Sequence, residues 1–387
     1  MNNPQIFIVA CISALFCAAC SDSTKKESLN TIGLEAFETM VRYENLYQPW
    51  DIEQGPDSVI WITENDSYVT RIDPLTFKRL PLTVNMDKDK QKSFSFFMHG
   101  LVFHPEFDRF PFVYLSYVYL RNGDTLTSVL DVVKMEYDSK NQTLNHRGYI
   151  LTGVKNPGHM IAGGRMMIHE NHLFVCTSDE RTEDGTSLIL DSLTGKILRL
   201  NLDGSIPIDN PFPNSPVFSY GHRNPQGLIA VGSDIFSTEH GPGNGDELNR
   251  ITAGENYGWP DVSGVGIDST QLAYASLNRV VLPLIDYTPT VAPSSLAYKR
   301  INDKDYFFIP TLKEADLRVV HYSNGEAKEV GLLLNEELGR LRDIKVFPNG
   351  RIFLLTHNRV QKNFHYFHSP NKNSAYQYDL LVEVFLN

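Results

Sequence analysis

Positively charged side chains stand at repeated points of this sequence, where together they could bind an anion. They are Arg165, Arg223, Lys313, Arg340 and Arg342, and each lies next to a short apolar segment. The planar guanidinium of arginine can donate two parallel hydrogen bonds to a carboxylate, so it suits carboxylate ligands. Because the chain carries a net charge of −11, cations at equivalent positions indicate an anion-binding site. Scattered surface charge is the alternative.

The composition excludes several classes of protein. Hydrophobic residues make up 42% and charged residues 21% of the 387 residues, which is ordinary for a folded soluble protein and excludes a wholly disordered one. The acidic balance argues against binding to nucleic acid or to an anionic membrane surface. The 18 tyrosines and 22 phenylalanines, spread over many short apolar runs, favour β structure.

One two-strand pattern recurs along the chain. It consists of an apolar strand, a turn rich in Pro, Gly, Asn or Asp, and a second strand that ends in Ser or Thr. The spacing, about 59 residues, leaves room for four short strands in each repeat, which predicts a six-bladed β-propeller over residues 45–387. Two stacked β-sandwiches are the alternative. Residues 31–45 are the best candidate for a helix. The six copies are 49–64, 99–117, 163–179, 225–240, 293–313 and 341–357.

The N-terminus has the pattern of an export signal. Residues 5–19 are apolar but too few to span a bilayer comfortably, and Cys17-Ala18-Ala19-Cys20 follows the lipoprotein pattern of small residues before a cysteine. We therefore predict a signal peptide over 1–19, lipidation of Cys20, and a tether over 20–44. The protein would then face the periplasm or the cell surface and touch the membrane only through its lipid. An ordinary secretory signal is the alternative.

The segment 238–249 (TEHGPGNGDELN) is rich in glycine. It lacks the lysine and the following helix of a phosphate-binding loop. A Gly-Pro-Gly turn can instead point consecutive backbone carbonyls at one place, and carbonyl oxygens are ligands that Ca²⁺ accepts. A tight connection between two strands of a propeller blade is the simpler interpretation of the same residues.

Several phrases, in this order, resemble the pyrroloquinoline-quinone (PQQ) dependent sugar dehydrogenases of the soluble glucose dehydrogenase type. The most specific are GKILRLNLDGSIP and GHRNPQG; others are GLVFHPEF, NYGWP, TPTVAPSS and GRLRDIKVFPNG. The resemblance extends from about residue 49 into the 350s, nearly the whole of the predicted domain. It implies a six-bladed propeller, in agreement with the repeat count, and two cofactors, PQQ and Ca²⁺.

The resemblance also assigns residues to the cofactor. The Arg-Asn pair of GHRNPQG corresponds to Arg223 and Asn224, and the lysine of the family's Leu-Lys motif corresponds to Lys313. The two arginines of the family's Arg-x-Arg-Asp motif correspond to Arg340 and Arg342. PQQ is a tricarboxylate, so these side chains would hold its anionic groups. Arg223 would also stabilise the quinone oxygen that becomes negative during the reaction.

The reaction implied by the family is oxidation of an aldose to its lactone. His159 corresponds to the general base that takes the hydroxyl proton, and Asp179 to the carboxylate that orients it. A hydride passes to the quinone while Ca²⁺, held by the carbonyls of Gly241 and Pro242, assists. An external electron acceptor would then reoxidise the cofactor.

Two other functions remain open at this point. The first is a non-catalytic propeller that binds a ligand or a protein. It is favoured by the five residues between His159 and Arg165, two more than the family has, and by the bulky segment 95–100 (SFFMHG). The second is a Ca²⁺-dependent lactonase, against which the cationic residues argue. The fold alone could not separate these functions.

Overall fold

Strands dominate the computed structural model, and they form six sheets that follow one another along the chain. Each sheet contains four consecutive antiparallel strands except where the chain termini meet or an extra strand joins an edge. Among the described residues no helix is both long and apolar enough to cross a membrane. The structure describes residues 30–33, 36–65, 68–87, 94–121, 127–157, 163–179, 185–266, 268–358 and 378–386.

The first half of the chain forms an N-terminal strand and three blades, numbered here in chain order. Blade 2 has the longest strands, and the short β6 pairs in parallel with its outer strand β10. The bounds are β1 (Phe37–Leu46); blade 1, β2 (Ile52–Gln54), β3 (Ile60–Glu64), β4 (Tyr68–Ile72) and β5 (Arg79–Leu80); then β6 (Thr83–Asn85); blade 2, β7 (Phe94–Phe103), β8 (Phe112–Arg121), β9 (Thr127–Asp138) and β10 (Thr143–Pro157); and blade 3, β11 (Met166–His169), β12 (His172–Cys176), β13 (Lys196–Asn201) and β14 (Val217–Tyr220).

The described residues of the second half form three more blades and one α-helix, α1. The side chain of Asp268 caps α1 by accepting hydrogen bonds from the backbone N–H groups of Thr270 and Gln271. The bounds are blade 4, β15 (Pro225–Val231), β16 (Asp234–Glu239), β17 (Asp246–Ile251) and β18 (Ile285–Tyr287), with α1 (Ser269–Leu277) between its last two strands; blade 5, β19 (Ala297–Ile301), β20 (Lys304–Pro310), β21 (Leu317–Ser323) and β22 (Glu326–Leu333); and blade 6, β23 (Leu341–Val346), β24 (Ile352–Thr356) and β25 (Asp379–Leu386).

Blade 6 is completed by the N-terminal strand, which closes the ring. Strand β1 pairs antiparallel with β25, with Phe37 opposite Leu386 and Val41 opposite Val382. The helix predicted over 31–45 is therefore wrong over residues 37–45, and the propeller begins before residue 45. The physical reason is that β25 would otherwise present an open edge of unpaired backbone groups, and β1 satisfies them.

The hydrophobic core consists of six clusters, one between each pair of consecutive blades. Trp61 of blade 1 packs with Leu101 of blade 2, and Phe353 of blade 6 packs with Ile62 of blade 1. Because the last blade shares a cluster with the first, the blades form a closed ring. The six-bladed β-propeller predicted from the repeats is confirmed, and each predicted copy supplies the inner two strands of one blade.

The hydroxyl residues that ended the repeats are fully buried, and several of them join neighbouring blades. Thr63 of blade 1 donates to the carbonyl of His99 in blade 2 (2.5 Å). Ser116 of blade 2 donates to the carbonyl of Gly164, at the entrance to blade 3 (2.6 Å). A small hydroxyl is needed here because a buried backbone carbonyl without a partner is costly. All six hydroxyls (Thr63, Ser116, Thr177, Thr238, Thr311 and Thr356) have no exposed surface.

A single arginine joins five blades at the centre of the ring. Arg165, which precedes β11, donates from Nη1 to Asp51 (2.5 Å) and Asp343 (3.2 Å). Its Nε donates to the carbonyl of Gln226 (2.7 Å) and its Nη2 to that of Ser294 (3.3 Å). These partners belong to or precede the inner strands of blades 1, 6, 4 and 5. We call Arg165, Asp51 and Asp343 the axial hub. Arg165 is thus occupied within the protein and is not one of the cations available to a ligand.

Candidate active site

Most of the residues that the sequence assigned to a site lie on one face of the propeller. Because successive strands of a blade run in opposite directions, the start of an inner strand lies beside the end of the second strand. Pro225 pairs with Glu239 in this way, and Leu341 pairs with Thr356. We call this side of the ring the site face. The predicted residues on it are Asp179, Arg223, Asn224, Gly241, Pro242, Lys313, Arg340 and Arg342.

Arg342 is a buried cation without an anionic partner. Its side chain is 6% exposed, its Nη2 donates to the amide oxygen of Gln226 (3.1 Å), and its Nε is buried with no hydrogen-bond partner. Among the described residues, no carboxylate lies within ion-pair distance of it. Burial, together with the nearby charge of Arg165, lowers its pKa to about 9. Such a group is suited to receive an anion from outside the protein.

Arg340 and Lys313 approach one another through the backbone of Leu312. Arg340 Nη1 donates to the Leu312 carbonyl (3.1 Å), and burial lowers the pKa of this arginine to about 10. Lys313 is exposed, and its Nζ donates to the carbonyl (2.8 Å) and hydroxyl (3.0 Å) of Thr290. The two side chains thus bring charge to the same side of the site face.

A buried carboxylate shapes the turn that carries Arg223 and Asn224. Glu239 accepts hydrogen bonds from the backbone N–H groups of both residues, at 3.1 Å for Asn224. The Arg223 guanidinium then reaches back along β16, where Nη1 donates to the carbonyls of His240 (3.1 Å) and Gly241 (2.8 Å). The ring of Trp259 lies 5.4 Å from the guanidinium carbon.

Asn224 connects this turn to Arg342. Its side chain has no exposed surface, and its Oδ1 accepts a hydrogen bond from Gln226 Nε2 (2.8 Å). The other end of the Gln226 amide accepts from Arg342. The contact fixes which end of the Gln226 amide faces Arg342, because an amide has one donor end and one acceptor end.

The carbonyls predicted to bind Ca²⁺ belong to a loop that a carboxylate holds in place. Asp246 Oδ1 accepts from the backbone N–H of Gly241 (2.7 Å), and its Oδ2 accepts from those of Val291 (2.7 Å) and Ala292 (2.6 Å). Pro242 is exposed. The described residues contain no cluster of three or more His, Cys, Asp or Glu side chains arranged for a metal. This chain therefore offers a cation neutral carbonyl oxygens, one of which already accepts a hydrogen bond from Arg223.

Asp179 is buried and half satisfied. Its Oδ2 accepts hydrogen bonds from the Thr186 hydroxyl (2.7 Å) and the Ser187 backbone N–H (2.7 Å), whereas its buried Oδ1 has no partner among the described residues. A bare carboxylate oxygen is costly, so it indicates a donor supplied from elsewhere. His159, the predicted donor, lies outside the described residues, and its role as the base stays a prediction.

Three histidines to which the sequence assigned no role surround Arg342. They are His99, His240 and His357. Burial, followed by the charges of nearby arginines, lowers the pKa of each imidazole to about 3, so all three are uncharged at neutral pH. Two of them could have been found from the repeat, because His240 and His357 follow Thr238 and Thr356 within two residues, as Asp179 and Lys313 follow their own threonines.

Trp50 is the other residue that sequence reasoning missed. It is 7% exposed and precedes the inner strand of blade 1. Its indole stacks on the imidazole of His99 (centroids 4.6 Å apart, planes inclined by 3°) and lies 4.2 Å from the guanidinium carbon of Arg165 and 4.5 Å from that of Arg342. Trp50 thus lies against both Arg165 of the axial hub and Arg342 of the site, and cation–π attraction stabilises both guanidinium groups.

Comparison with known proteins agrees with the motifs. The profile of the Glucose / Sorbosone dehydrogenase family matches residues 46–364. Quinoprotein glucose dehydrogenase B of Acinetobacter calcoaceticus is 31% identical over 317 residues, which are 72% of this chain and 64% of that protein, slightly under two thirds of its length. Aldose sugar dehydrogenase YliI of Escherichia coli (strain K12) is 32% identical over 211 residues, which are 50% of this chain and 56% of that protein.

A solved structure extends the agreement to three dimensions. The PQQ-bound form of aldose sugar dehydrogenase from Streptomyces coelicolor superposes with a TM-score of 0.70 at 27% identity, covering 90% of this chain and 99% of that one. The family profile spans most of the chain, including blades 1 to 5 and the inner two strands of blade 6. The chain therefore belongs to the Glucose / Sorbosone dehydrogenase family, which confirms the resemblance predicted from its motifs.

Proposed function

We propose that this protein is a PQQ- and Ca²⁺-dependent sugar dehydrogenase that oxidises an aldose to its lactone and passes the electrons to an external acceptor. The observation that carries the proposal is the set of cations on the site face. Arg342 has a buried Nε without a partner and no carboxylate beside it among the described residues, and Arg340 and Lys313 bring further charge to the same face. A free anion with several carboxylates matches that arrangement.

The residues present fit PQQ. Arg342, Arg340 and Lys313 would pair with its carboxylates, while Arg223 and Asn224 would contact it from blade 4. When bound, the quinone accepts a hydride, which no amino-acid side chain can do. The protein contributes fixed charges in a partly buried place, where electrostatic attraction is stronger than in water.

Gly241 and Pro242 would supply carbonyl oxygens to Ca²⁺. Because the described part of the chain offers no acidic metal cluster, the negative charge around the ion would have to come from the bound cofactor. The Gly241 carbonyl would also have to exchange its hydrogen bond from Arg223 for the metal. Asp246 holds the Gly241 backbone from behind, which keeps the loop in shape during that exchange.

His159 would act as the general base and Asp179 would orient it. The buried Oδ1 of Asp179 supports this assignment, because it has room for one hydrogen bond from an imidazole N–H. The base would take the proton from the sugar hydroxyl oxygen as the hydride leaves the carbon that carries this hydroxyl. Arg223 would stabilise the oxygen that gains negative charge.

A single cuvette experiment tests the proposal. The domain beginning after Cys20 is prepared without cofactor, PQQ and Ca²⁺ are added, the absorbance spectrum is recorded, and a panel of aldoses follows. We expect a shifted quinone spectrum that bleaches with at least one sugar. A shift without bleaching would leave the cofactor site standing and remove the sugar reaction. No shift from a protein that is folded by circular dichroism would favour the non-catalytic binding propeller instead.

We also propose that the protein is an exported lipoprotein anchored through Cys20. The proposal is supported by the sequence pattern of residues 5–20 alone, because Cys20 lies outside the described residues. Expression with radiolabelled palmitate should label the native chain but not the Cys20→Ser variant. Equal labelling of the two would refute the lipid site, and recovery of the native chain as an unlabelled secreted protein would favour the ordinary secretory signal.

A further inference from the structure

Lys196 is a fully buried lysine close to Asp179. It is the first residue of β13, and its side chain has no exposed surface. Its Nζ donates three hydrogen bonds, all to backbone carbonyls: those of Thr186 (3.0 Å), Ser187 (2.7 Å) and Thr194 (2.7 Å). All three N–H donors of the ammonium group are therefore used by backbone carbonyls of the segment 186–194, which precedes β13.

Burial of the Lys196 ammonium costs free energy of folding, so a contribution to stability does not explain why this residue is a lysine. A buried ammonium normally has a carboxylate partner, and no carboxylate of the described residues lies within ion-pair distance of Lys196. Burial lowers the pKa of Lys196 to about 7, although the charge of Asp179 opposes the shift. A methionine of similar length would fill the same space without the desolvation cost, so the lysine requires another explanation.

The turn that Lys196 holds is also the turn that holds Asp179. Thr186 and Ser187 present their carbonyls to Lys196, and the same two residues donate their hydroxyl and backbone N–H to Asp179 Oδ2. The Thr194 hydroxyl donates to the Thr186 hydroxyl (2.9 Å) and so orients it towards Asp179. Lys196 and Asp179 thus bind the same two residues, Lys196 through their carbonyl acceptors and Asp179 through their hydrogen-bond donors.

We propose that Lys196 is a positioning residue: by holding the turn at Thr186 and Ser187, it directs both donors of that turn to Asp179 Oδ2 and leaves Oδ1 bare for the general base. The inference rests on the proposed function. It assigns no contact between Lys196 and substrate or cofactor. Lys196 affects the reaction only through the orientation of the Asp179 carboxylate. Such an effect can be large, since a 1 Å displacement of a supporting group can slow a reaction about 100-fold.

The first test is the Lys196→Met variant, loaded with PQQ and Ca²⁺. We expect an unchanged quinone spectrum, a PQQ affinity within about twofold of the native value, and a bleaching rate at saturating sugar that falls by about 10- to 100-fold with a nearly unchanged KM. Lys196→Arg, which retains the charge, should recover part of the rate. In the protein without cofactor, the amide of Ser187 should exchange hydrogen faster, because Lys196 no longer holds its peptide group.

The second test separates positioning from general support of the fold. In the Asp179→Asn background the Lys196→Met change should slow bleaching by less than about twofold, since the carboxylate it positions is gone. If the double variant is slowed by the product of the two single-variant factors, the proposal is overturned. Lys345→Met is the control: this lysine is only partly buried, with 38% of its side chain exposed, and it forms an ion pair with Glu53 away from Asp179, so its loss should leave the bleaching rate unchanged.

A third variant keeps the test decisive if Lys196→Met does not fold. Thr186→Val removes one donor to Asp179 Oδ2 and leaves the Lys196 contacts to the backbone intact. It should slow bleaching by about 3- to 10-fold in the native background and have no further effect with Asp179→Asn. An equal effect in both backgrounds would refute the positioning role. Failure of the native protein to bleach with any sugar would instead refute the proposed function.

Discussion

Two arginines lie against the same tryptophan, and their surroundings are opposite. Arg165 and Arg342 are 4% and 6% exposed, and their guanidinium carbons lie 4.2 and 4.5 Å from the ring of Trp50. Arg165 binds two carboxylates, those of Asp51 and Asp343, whereas the polar partner of Arg342 is the amide of Gln226. The two residues are alike in type, burial and aromatic contact, but among the described residues only Arg165 forms ion pairs with carboxylates.

The difference in partners separates a structural cation from a candidate binding cation. Burial lowers the pKa of Arg165, but Asp343 and Asp51 more than offset that effect and leave the pKa above its ordinary value. For Arg342, burial and the neighbouring Arg165 lower the pKa to about 9. A buried cation that is paired with carboxylates of the protein stabilises the fold. A buried cation without such a partner can instead form an ion pair with an anionic ligand.

The largest effect should follow the loss of the hub arginine. Arg165→Met leaves the buried carboxylates of Asp51 and Asp343 without their cation and breaks the contacts of blade 3 to four other blades. We expect the free energy of unfolding to fall by about 3–5 kcal/mol, as for other buried pairs that lose one partner. Unfolding in urea, followed by circular dichroism, measures this change.

A compensating variant sharpens that test. If uncompensated charge causes the loss, Arg165→Met combined with Asp51→Asn and Asp343→Asn should recover part of the stability, because no carboxylate then remains unpaired. A loss below about 1 kcal/mol in the single variant would show that the hub does not stabilise the ring.

The corresponding change at Arg342 should affect binding and leave stability almost unaltered. Arg342→Met removes a charge that forms no ion pair with a carboxylate of the described residues, so the free energy of unfolding should change by less than about 1 kcal/mol or should rise. PQQ affinity should fall about 10- to 100-fold, which is the value of one charge-assisted hydrogen bond. Titration of the quinone absorbance measures the affinity. If Arg342→Met destabilises the protein as much as Arg165→Met, the distinction between the two arginines fails.

The sequence predicted the fold because the repeat determines it. Each copy combined two apolar strands with a hydroxyl that the structure shows buried between blades, as at Thr63 and Ser116. The pairing of β1 with β25 was missed. That pairing joins residues more than 300 positions apart, and the local pattern of residues 31–45 suggested a helix. Ring closure outweighed local propensity there, because β25 needed a partner.

The sequence predicted a set of candidate site cations but not how each is bonded within the fold. Arg165 stood at a repeat position equivalent to those of the others, and only the structure shows that Asp51 and Asp343 neutralise it. Those aspartates lie 114 and 178 residues away along the chain, so no local motif reveals the pairing. Trp50 and His99 were missed for the same reason: their surroundings are built by several blades at once. His240 and His357 stand at repeat positions that could have revealed them.

Acid should destabilise the protein through the histidines that face Arg342. His99 and His357 have folded pKa values of about 3, below the ordinary value of about 6.5. The unfolded chain therefore binds protons that the folded chain does not, and the free energy of unfolding falls as the pH drops from about 6.5 towards 3, by up to about 1.4 kcal/mol per pH unit for each histidine.

Urea unfolding at several pH values between 7 and 4 measures that slope, and two variants locate its origin. His357→Gln should flatten the curve by the share of one histidine. Arg342→Met should also flatten it, because removal of the neighbouring charge raises the pKa of both imidazoles. A slope that neither variant changes would assign the acid sensitivity to other groups.

The smallest effect should be found at Lys313, which tests whether burial or charge alone makes a binding cation. Lys313 is exposed and its ammonium already donates to Thr290, so water and salt screen it. Lys313→Met should weaken PQQ binding only about two- to fivefold, and the deficit should shrink at high salt. The Arg342→Met deficit should persist at the same salt, because a buried charge is screened less. If both deficits shrink together, the burial of Arg342 has no special part in binding, and total charge on the site face would explain the affinity.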